Sequence, residues 1–403
     1  MYSFHIKKNL IIRKIFILIV LITIINILFA CNRRKLNQSY NSKDSNIKFE
    51  EALLKEKILC VASVDEIDVI GDAIFDINPS TLEKVGINYG DSLDIAFSNG
   101  YIAKDIPYYN DFFGSRGSTM LVNLNGMIKL GGQYYDFVEA YNIKENDKVE
   151  IRIHEKGKYL SKMNLYQLPT GYMRSDYKSD EEFTNFRNVA YGEIAPYTLY
   201  RSASPISDKY GRSKILGNKI KSIGIKTILN LADTKEKANS YKSIPDNILS
   251  MIKSGDVIFA GTGVNFYDEQ FRDNLAKSLG LMIKKEPPYL IHCSLGRDRT
   301  GFVCALLEAL MGASYEEITE DYMQSFEWVN MLNKKENPEK YDLYKKELDE
   351  IFKFLTSTTP TKGFEKLNLE KAAYNYLLNG GMSKEEIELL KNRLRDGTVK
   401  NNE

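Results

Sequence analysis

Residues 292–301 read HCSLGRDRTG, and they follow the apolar run YLI. Beyond them, apolar residues recur at helical spacing as far as Gly312. The pattern is strand, turn, helix: Cys293 ends the strand, residues 294–299 form the turn, and Thr300 and Gly301 open the helix. In α/β sheets, ligands bind beyond the carboxyl ends of strands. Successive backbone N–H groups in such a turn make an anion nest, so Ser294, Leu295, Gly296, Arg297, Thr300 and Gly301 are the expected phosphate-binding residues. The helix N-terminus adds orphan donors and a positive field. Arg299 supplies a guanidinium fork that grips two oxygens at once. Positive surroundings of this kind favour the thiolate form of Cys293. A thiolate at the floor of a phosphate cradle can attack phosphorus in line, with Arg299 and the amides taking the charge on the equatorial oxygens. Water then releases phosphate from a cysteinyl-phosphate intermediate. This chemistry needs no metal and no cofactor. His292 is expected to hydrogen-bond the loop backbone and hold Cys293, and Thr300 to donate to the thiolate.

Other chemistries fit less well. The turn lacks the G-x-x-x-x-G-K-[ST] pattern of a nucleotide-binding loop. No second cysteine or histidine stands at zinc-ligand spacing. The chain has His5, His154 and His292 as its only histidines. Cys60 lies in the apolar run ILCVA, and Cys304 on the helix after the turn; both read as small buried hydrophobes. A formal net charge of +1 over 403 residues gives no case for nucleic-acid binding.

The elements around the turn alternate. IGIKTILNLAD, GDVIFAG and PPYLIHC read as buried strands. RSKILGNKIKSI and DEQFRDNLAKSLGLMIKKE read as helices, the second with a break at Gly280. SYEEITEDYMQSFEWV carries Ser314 and Glu317 at capping-box spacing, and MSKEEIELLKNRL repeats this with Ser383 and Glu386. The expected fold is an α/β sandwich around a parallel sheet, ending in a helical hairpin. Residues 49–167 have a different character. DSLDIAFSNG alternates, TMLVNLNGMIKL reads as two strands around Asn-Gly, and DKVEIRIHE as another strand. They form a small β-rich domain of barrel or sandwich type. The expected division is 1–31, 32–48 as a polar tether, 49–167, and 168–398.

HCSLGRDRTG resembles the signature loop of cysteine-dependent protein tyrosine phosphatases, H-C-x5-R-[ST]. It is most similar to a bacterial group carrying H-C-x-x-G-K-D-R-T-G, related to secreted tyrosine and phosphoinositide phosphatases. TNFRNV, with Asn185, Phe186 and Arg187, resembles that group's N-F-R-D entry motif. LYRSASPIS resembles its R-L-Y-R-S segment, and LGNKIKSIGIKTILNLADTKEK its strand-and-turn before D-L-R. The resemblance spans roughly residues 180–335 and implies a tyrosine-phosphatase-like fold with Cys293 and Arg299 as catalytic residues. Arg297 replaces the group's lysine and keeps a second cation. Asn230, Leu231 and Ala232 replace D-L-R. The family's general acid follows the next strand, where the first acid here is Asp268; a carboxylate there also suits a helix start. Asp298 in the turn and Asp233 are the alternatives. Arg187 and Arg201 are surface ion-pair partners or posts behind the loop, and Asp321 either holds Arg299 or Arg297 or is an ordinary solvated acid.

Upstream, Ile15 to Ala30 is uncharged, after Lys7, Lys8, Arg13 and Lys14. LFAC at its end resembles the lipobox of bacterial lipoproteins, which implies lipidation of Cys31; a plain membrane anchor is the alternative. Either way, residues 32–403 would lie outside the cytoplasmic membrane, tethered to it. Removing residues 1–31 leaves a mildly acidic chain, with 51 basic against 54 acidic residues. The expected function is hydrolysis of phosphotyrosine in proteins or peptides. The alternatives are an inositol phosphate or phosphoinositide phosphatase, and a surface phosphate-binding scaffold without turnover.

Overall fold

A computed structural model describes residues 59–396, except 69, 115, 170, 172, 361 and 362. The expected leader, Cys31 and the polar tether lie outside the described residues. No helix among the described residues is long and apolar enough to cross a membrane.

Seven strands close a barrel: β1 (Cys60–Ile67), β2 (Ala73–Phe75), β3 (Ser92–Phe97), β4 (Ile102–Tyr109), β5 (Thr119–Leu124), β6 (Met127–Gly132) and β7 (Lys148–Glu155). Alternation decides the inside. Val149 and Ile151 of β7, Leu93, Ile95 and Phe97 of β3, and Ile128 and Leu130 of β6 point into one apolar core. The Asn125-Gly126 turn joins β5 to β6, and both its residues have positive φ, as a two-residue hairpin requires. Closure leaves no unpaired sheet edge.

The rest of the chain builds on a five-stranded sheet in the order β11-β10-β12-β9-β8, from β8 (Arg187–Val189), β9 (Leu199–Ser202), β10 (Thr227–Asn230), β11 (Val257–Phe259) and β12 (Tyr289–His292). Four strands are parallel, and β8 runs antiparallel to β9 at the edge. The fold is therefore mixed α/β; four strands form the expected parallel sheet, and β8 adds an antiparallel edge to it. Both faces are apolar. After the short α1 (Asp180–Thr184), Ile228, Leu290 and Tyr200 meet α2 (Arg212–Ile223) and α3 (Asp246–Ser254) through Leu216, Ile220 and Ile248. Leu229, Ile291 and Leu199 meet the larger core of α4 (Glu269–Met282), α5 (Asp298–Leu310), α6 (Tyr315–Val329), α7 (Pro338–Thr356), α8 (Leu369–Asn379) and α9 (Lys384–Asp396).

Local signals explain most boundaries. Ser314 and Glu317 close a full capping box on α6, and Ser383 and Glu386 exchange the same pair of bonds at the start of α9. Gly280 does not break α4. A glycine inside a helix costs about 1 kcal/mol, and the buried Leu275, Leu279 and Met282 on the same helix offset it. Helix α7 begins with Pro338 at its first turn and buries Tyr341, Tyr344, Leu348, Ile351 and Phe352, a pattern the sequence reading passed over.

Phe302 on α5 is fully buried, with rings of Phe266 at 5.0 Å, Phe271 at 5.7 Å and Tyr376 at 5.6 Å. Phe302→Ala should therefore lower unfolding free energy by about 3–5 kcal/mol. Denaturant titration checks this; a loss below about 1 kcal/mol would mean that the cluster collapses around the cavity.

Candidate active site

The turn after β12 is held by its carbonyls. Cys293 O accepts from His292 Nδ1 at 3.2 Å, and Ser294 O from the Ser204 amide at 3.1 Å. Leu295 O and Gly296 O accept from Asn185 Nδ2 at 3.2 and 2.9 Å. Gly296 O also takes Arg201 Nη2 at 2.8 Å, and Arg297 O takes the Gly301 amide at 2.7 Å. With these carbonyls committed outward, planar peptides turn the intervening N–H groups to the concave side. Cys293 lies at that floor, 3% exposed. Gly296 has φ +70°, and a Cβ there would stand 2.3 Å from Ser202 O and 2.8 Å from Ala203 N. Both the conformation and the backbone contact demand glycine.

Arg299 folds across the turn, its Nη1 3.3 Å from Leu231 O and Nη2 3.5 Å from Ser294 Oγ. Thr262 Oγ1 donates to the same Leu231 carbonyl at 2.7 Å. Arg297 points elsewhere: Nε pairs with Asp298 at 2.8 Å, Nη1 donates to Asn330 Oδ1 at 2.8 Å, and the guanidinium lies 5.1 Å over the Phe326 ring. The buried Thr300 hydroxyl has no hydrogen-bond partner, the Cys293 thiol included.

Behind the turn sits a buried charge cluster. Arg187 Nε donates to Asp321 Oδ1 at 2.8 Å, and Nη2 to Asp321 O at 2.7 Å and Ser325 Oγ at 2.8 Å. Arg201 Nη1 pairs with Asp321 Oδ2, and Nη2 reaches Ser325 Oγ at 3.0 Å. Asp321 therefore anchors these two arginines rather than Arg297 or Arg299, which corrects the expectation for it. Arg187 and Arg201 are buried posts, not surface partners. Burial opposes the charge of Asp321, but the two guanidiniums outweigh it and hold the carboxyl down at about 2. Burial and the Asp321 charge push the neighbouring Glu308 well above the usual carboxylate range. Cys304 lies beside this cluster, and burial pushes its thiol up to about 12, as suits a packed hydrophobe. Asn185 enters the sequence reading only as part of a motif, and Ser325 and Asn330 were missed. All three are neutral residues that bond main chain or guanidinium, and spacing carries no signal for that.

The three acids separate. Asp268 is the N-cap of α4 and accepts from the Phe271 amide at 2.6 Å; its charge acts on Tyr376 of α8. No bond links it to the turn among the described residues. Asp233 is buried and binds Asn230 Nδ2 at 3.1 Å and the Tyr241 hydroxyl at 3.0 Å. Asn230 Oδ1 accepts from the amides of Ala232 and Asp233 at 2.8 and 3.1 Å. A neutral amide in place of the group's aspartate can thus cap this turn and still donate to Asp233. Asp298 alone stands in the turn, half-buried and paired with Arg297. Among the described residues, no cluster of His, Cys, Asp and Glu is arranged to hold a metal ion.

His292 is fully buried, and its Nε2 has no partner. Burial, with the Arg299 charge assisting, pushes its pKa down to about 4. The unfolded chain takes up a proton near pH 6.5 that folded His292 refuses, so stability falls as pH drops from about 6.5 towards 4. The slope from this group is at most about 1.4 kcal/mol per pH unit. His292→Asn, whose amide can also donate to Cys293 O, should remove that component. Urea unfolding at pH 7 and pH 5 checks it; equal pH slopes in the two proteins would contradict the assignment.

Residues 180–396, more than half of the chain, match the model described as the tyrosine phosphatase family. The putative tyrosine-protein phosphatase OCA1 of Debaryomyces hansenii is 29% identical over 130 residues. That stretch is 31% of this chain and 61% of the relative's length. Among solved structures, the core catalytic domain of the PP-IP phosphatase SIW14 from S. cerevisiae, in complex with citrate, matches with 22% identity and a TM-score of 0.26. The overlay covers 42% of this chain and 90% of that one. An uncharacterized conserved protein from Thermotoga maritima matches with 17% identity and a TM-score of 0.22, over 24% of this chain and 38% of that one. From the entry motif through Cys293 and Arg299 to the last helix, this chain belongs to the tyrosine phosphatase family.

Proposed function

We propose that the protein hydrolyses phosphotyrosine in proteins or peptides through a cysteinyl-phosphate intermediate. The observation that carries this reading is the turn itself, whose carbonyls are tied outward while Cys293 lies at the floor and Arg299 folds across. Cys293 Sγ attacks phosphorus, the S–P bond forms, and the P–O ester bond breaks with its electron pair on the leaving oxygen. Arg299 and the inward N–H groups stabilise the equatorial oxygens. Water then attacks phosphorus, the S–P bond breaks, and phosphate leaves. Thr300 stays in reserve to donate to the departing thiolate, its hydroxyl being buried and unpartnered. Arg297 is spent on Asp298, Asn330 and Phe326. That leaves Arg299 as the guanidinium at the phosphate, which supports an ester with one phosphate over a multiply phosphorylated inositol.

The placement of the chain is a second part of the proposal. Cys31, at the end of the uncharged run, would carry lipid and hold residues 32–403 on the outer side of a bacterial cytoplasmic membrane, as the LFAC motif suggests. Cys31→Ser should move the protein from the membrane fraction to the soluble one and abolish fatty-acid labelling. Unchanged labelling would sink the lipid assignment.

Cys293→Ser should lower turnover of a phosphotyrosine peptide by at least ~10³-fold while phosphate ester still binds. Retained turnover would refute the mechanism. Parallel assays with inositol phosphates decide the substrate class, since preference for them would overturn the phosphotyrosine reading. Binding without turnover in the native chain would make it a scaffold.

A further inference from the structure

Strand β11 ends at Phe259, and the chain then runs as a loop to Asp268, the cap of α4. Little within the loop stiffens it. Gly261, at φ +57°, and Gly263 flank Thr262, and Val264 is exposed. Glycine leaves the backbone several paths. The loop's position is therefore decided by what grips each of its halves.

The first half is tied to the signature turn. Thr262 is buried, and its Oγ1 donates to Leu231 O at 2.7 Å. Arg299 Nη1 lies 3.3 Å from the same carbonyl. Leu231 O thus serves two donors. If Thr262 leaves it, the carbonyl is free to take more of the Arg299 fork, which then reaches less far over the turn.

The second half is held from the barrel. Asn265 Nδ2 donates to Tyr134 O at 3.3 Å, while Asn265 Oδ1 accepts from the Tyr267 amide at 3.0 Å. The Tyr134 ring lies 5.0 Å from both Phe266 and Tyr267. Arg116 lies over the Tyr267 ring at 4.8 Å and over Phe354 of α7 at 5.6 Å. These two barrel residues act as a pair. Gly117 N donates to Gln133 O at 2.9 Å, and Gln133 N to Ser118 O at 2.8 Å, which brings the next residues, Arg116 and Tyr134, together at one end of the barrel. Phe266 passes the contact on: its ring stacks 5.0 Å from Phe302, less than one helical turn beyond Arg299 on α5. Tyr134 makes its contacts from φ +62°, a conformation that favours glycine. A large side chain held there points to a function for its ring.

We propose that Arg116 and Tyr134 are positioning residues of the phosphate site: as a pair on the end of the barrel they clamp residues 265–267, and through Thr262 and Leu231 O that loop sets the reach of Arg299 over the turn. The proposal rests on the phosphatase reading above. Both residues lie outside the stretch 180–396 that carries the family match. The barrel is thereby a working part of the site, although it lends no group to the reacting atoms.

The test uses the full chain in detergent. Binding of inorganic phosphate is followed by titration calorimetry, beside turnover of p-nitrophenyl phosphate. Tyr134→Gly keeps the backbone conformation and the carbonyl and removes the ring. It should weaken phosphate binding and lower kcat/KM by about tenfold each, with KM rising. Tyr134→Phe keeps the ring and should stay within about twofold of the unaltered chain on both measures. Arg116→Gln should show the same loss in part, and it decides the matter alone if Tyr134→Gly does not fold. In an Arg299→Lys background, neither substitution should weaken phosphate binding further, because the fork they position is gone. Packing without positioning would lower thermal stability and leave phosphate affinity unchanged, and that outcome would overturn the proposal. So would a loss of affinity in the Arg299→Lys background equal to that in the unaltered one. If the unaltered chain neither binds phosphate nor turns over the ester, the phosphatase reading falls and the clamp with it; if it does both and the barrel variants match it, the clamp alone falls.

Discussion

Arg187 and Arg201 stand directly opposite each other on the antiparallel pair β8 and β9. Two like charges in register on neighbouring strands repel, and burial of both removes the water that would screen them. Asp321, reaching in from α6, makes the arrangement tenable by accepting from both. Most remaining donors of the two forks then have somewhere to go: Ser325, Asn185 and the carbonyls of the turn, with the buried Arg201 Nε left without a partner. Sheet edge, helix α6 and signature loop are thus joined through one carboxylate. Removing one partner of such a buried set typically costs about 3–5 kcal/mol, because a charge is left unpaired. The cluster sets two guanidiniums against the one Asp321 carboxylate, while burial and the Asp321 charge raise the pKa of the neighbouring Glu308. A positive region behind the cradle favours an anion in front of it.

The barrel is joined to this assembly through the loop that follows β11. Asn265 Nδ2 donates to Tyr134 O at 3.3 Å, and the Tyr134 ring lies 5.0 Å from both Phe266 and Tyr267. Tyr134 takes φ +62°, a costly conformation for a bulky residue that persists only when its surroundings fix it. Phe113 of the barrel stacks on Tyr166 at 5.9 Å, and Arg116 lies over Tyr267. This part of the contact surface is aromatic, with Arg116 as its cation, and Lys340 of α7 adds bonds to Asn164 O and Gln167 O. It holds residues 265–267 against the barrel.

The nucleophile, the arginine fork and the strand-turn-helix around them were legible in HCSLGRDRTG, because the chemistry needs those residue types at fixed spacing. The barrel strands were legible for a similar reason: β7 alternates apolar and polar residues, β3 does so up to Ile95, and Asn125-Gly126 marks the hairpin. Strands β8 and β9 were not, since three or four residues buried on both sides leave no period to read. Helix α7 was missed although its stripe is regular, because its polar face is dense in lysine and glutamate and no capping box marks its start. Asp321 shows a different limit. A lone acid on a helix face looks solvated until the topology brings two arginines to it from residues more than a hundred positions away.

Gly296 has a consequence for how the site can be adapted. Its backbone touches the Ser202 and Ala203 main chain, which no side-chain repacking can move aside. The carbonyls on either side of it are tied to Asn185 and Arg201. The floor of the cradle is therefore closed to variation. Ser294 is exposed and Leu295 half-buried, and their carbonyls rather than their side chains hold the turn. Selection for a new substrate would have to act at these two positions, leaving the phosphate-gripping frame unchanged.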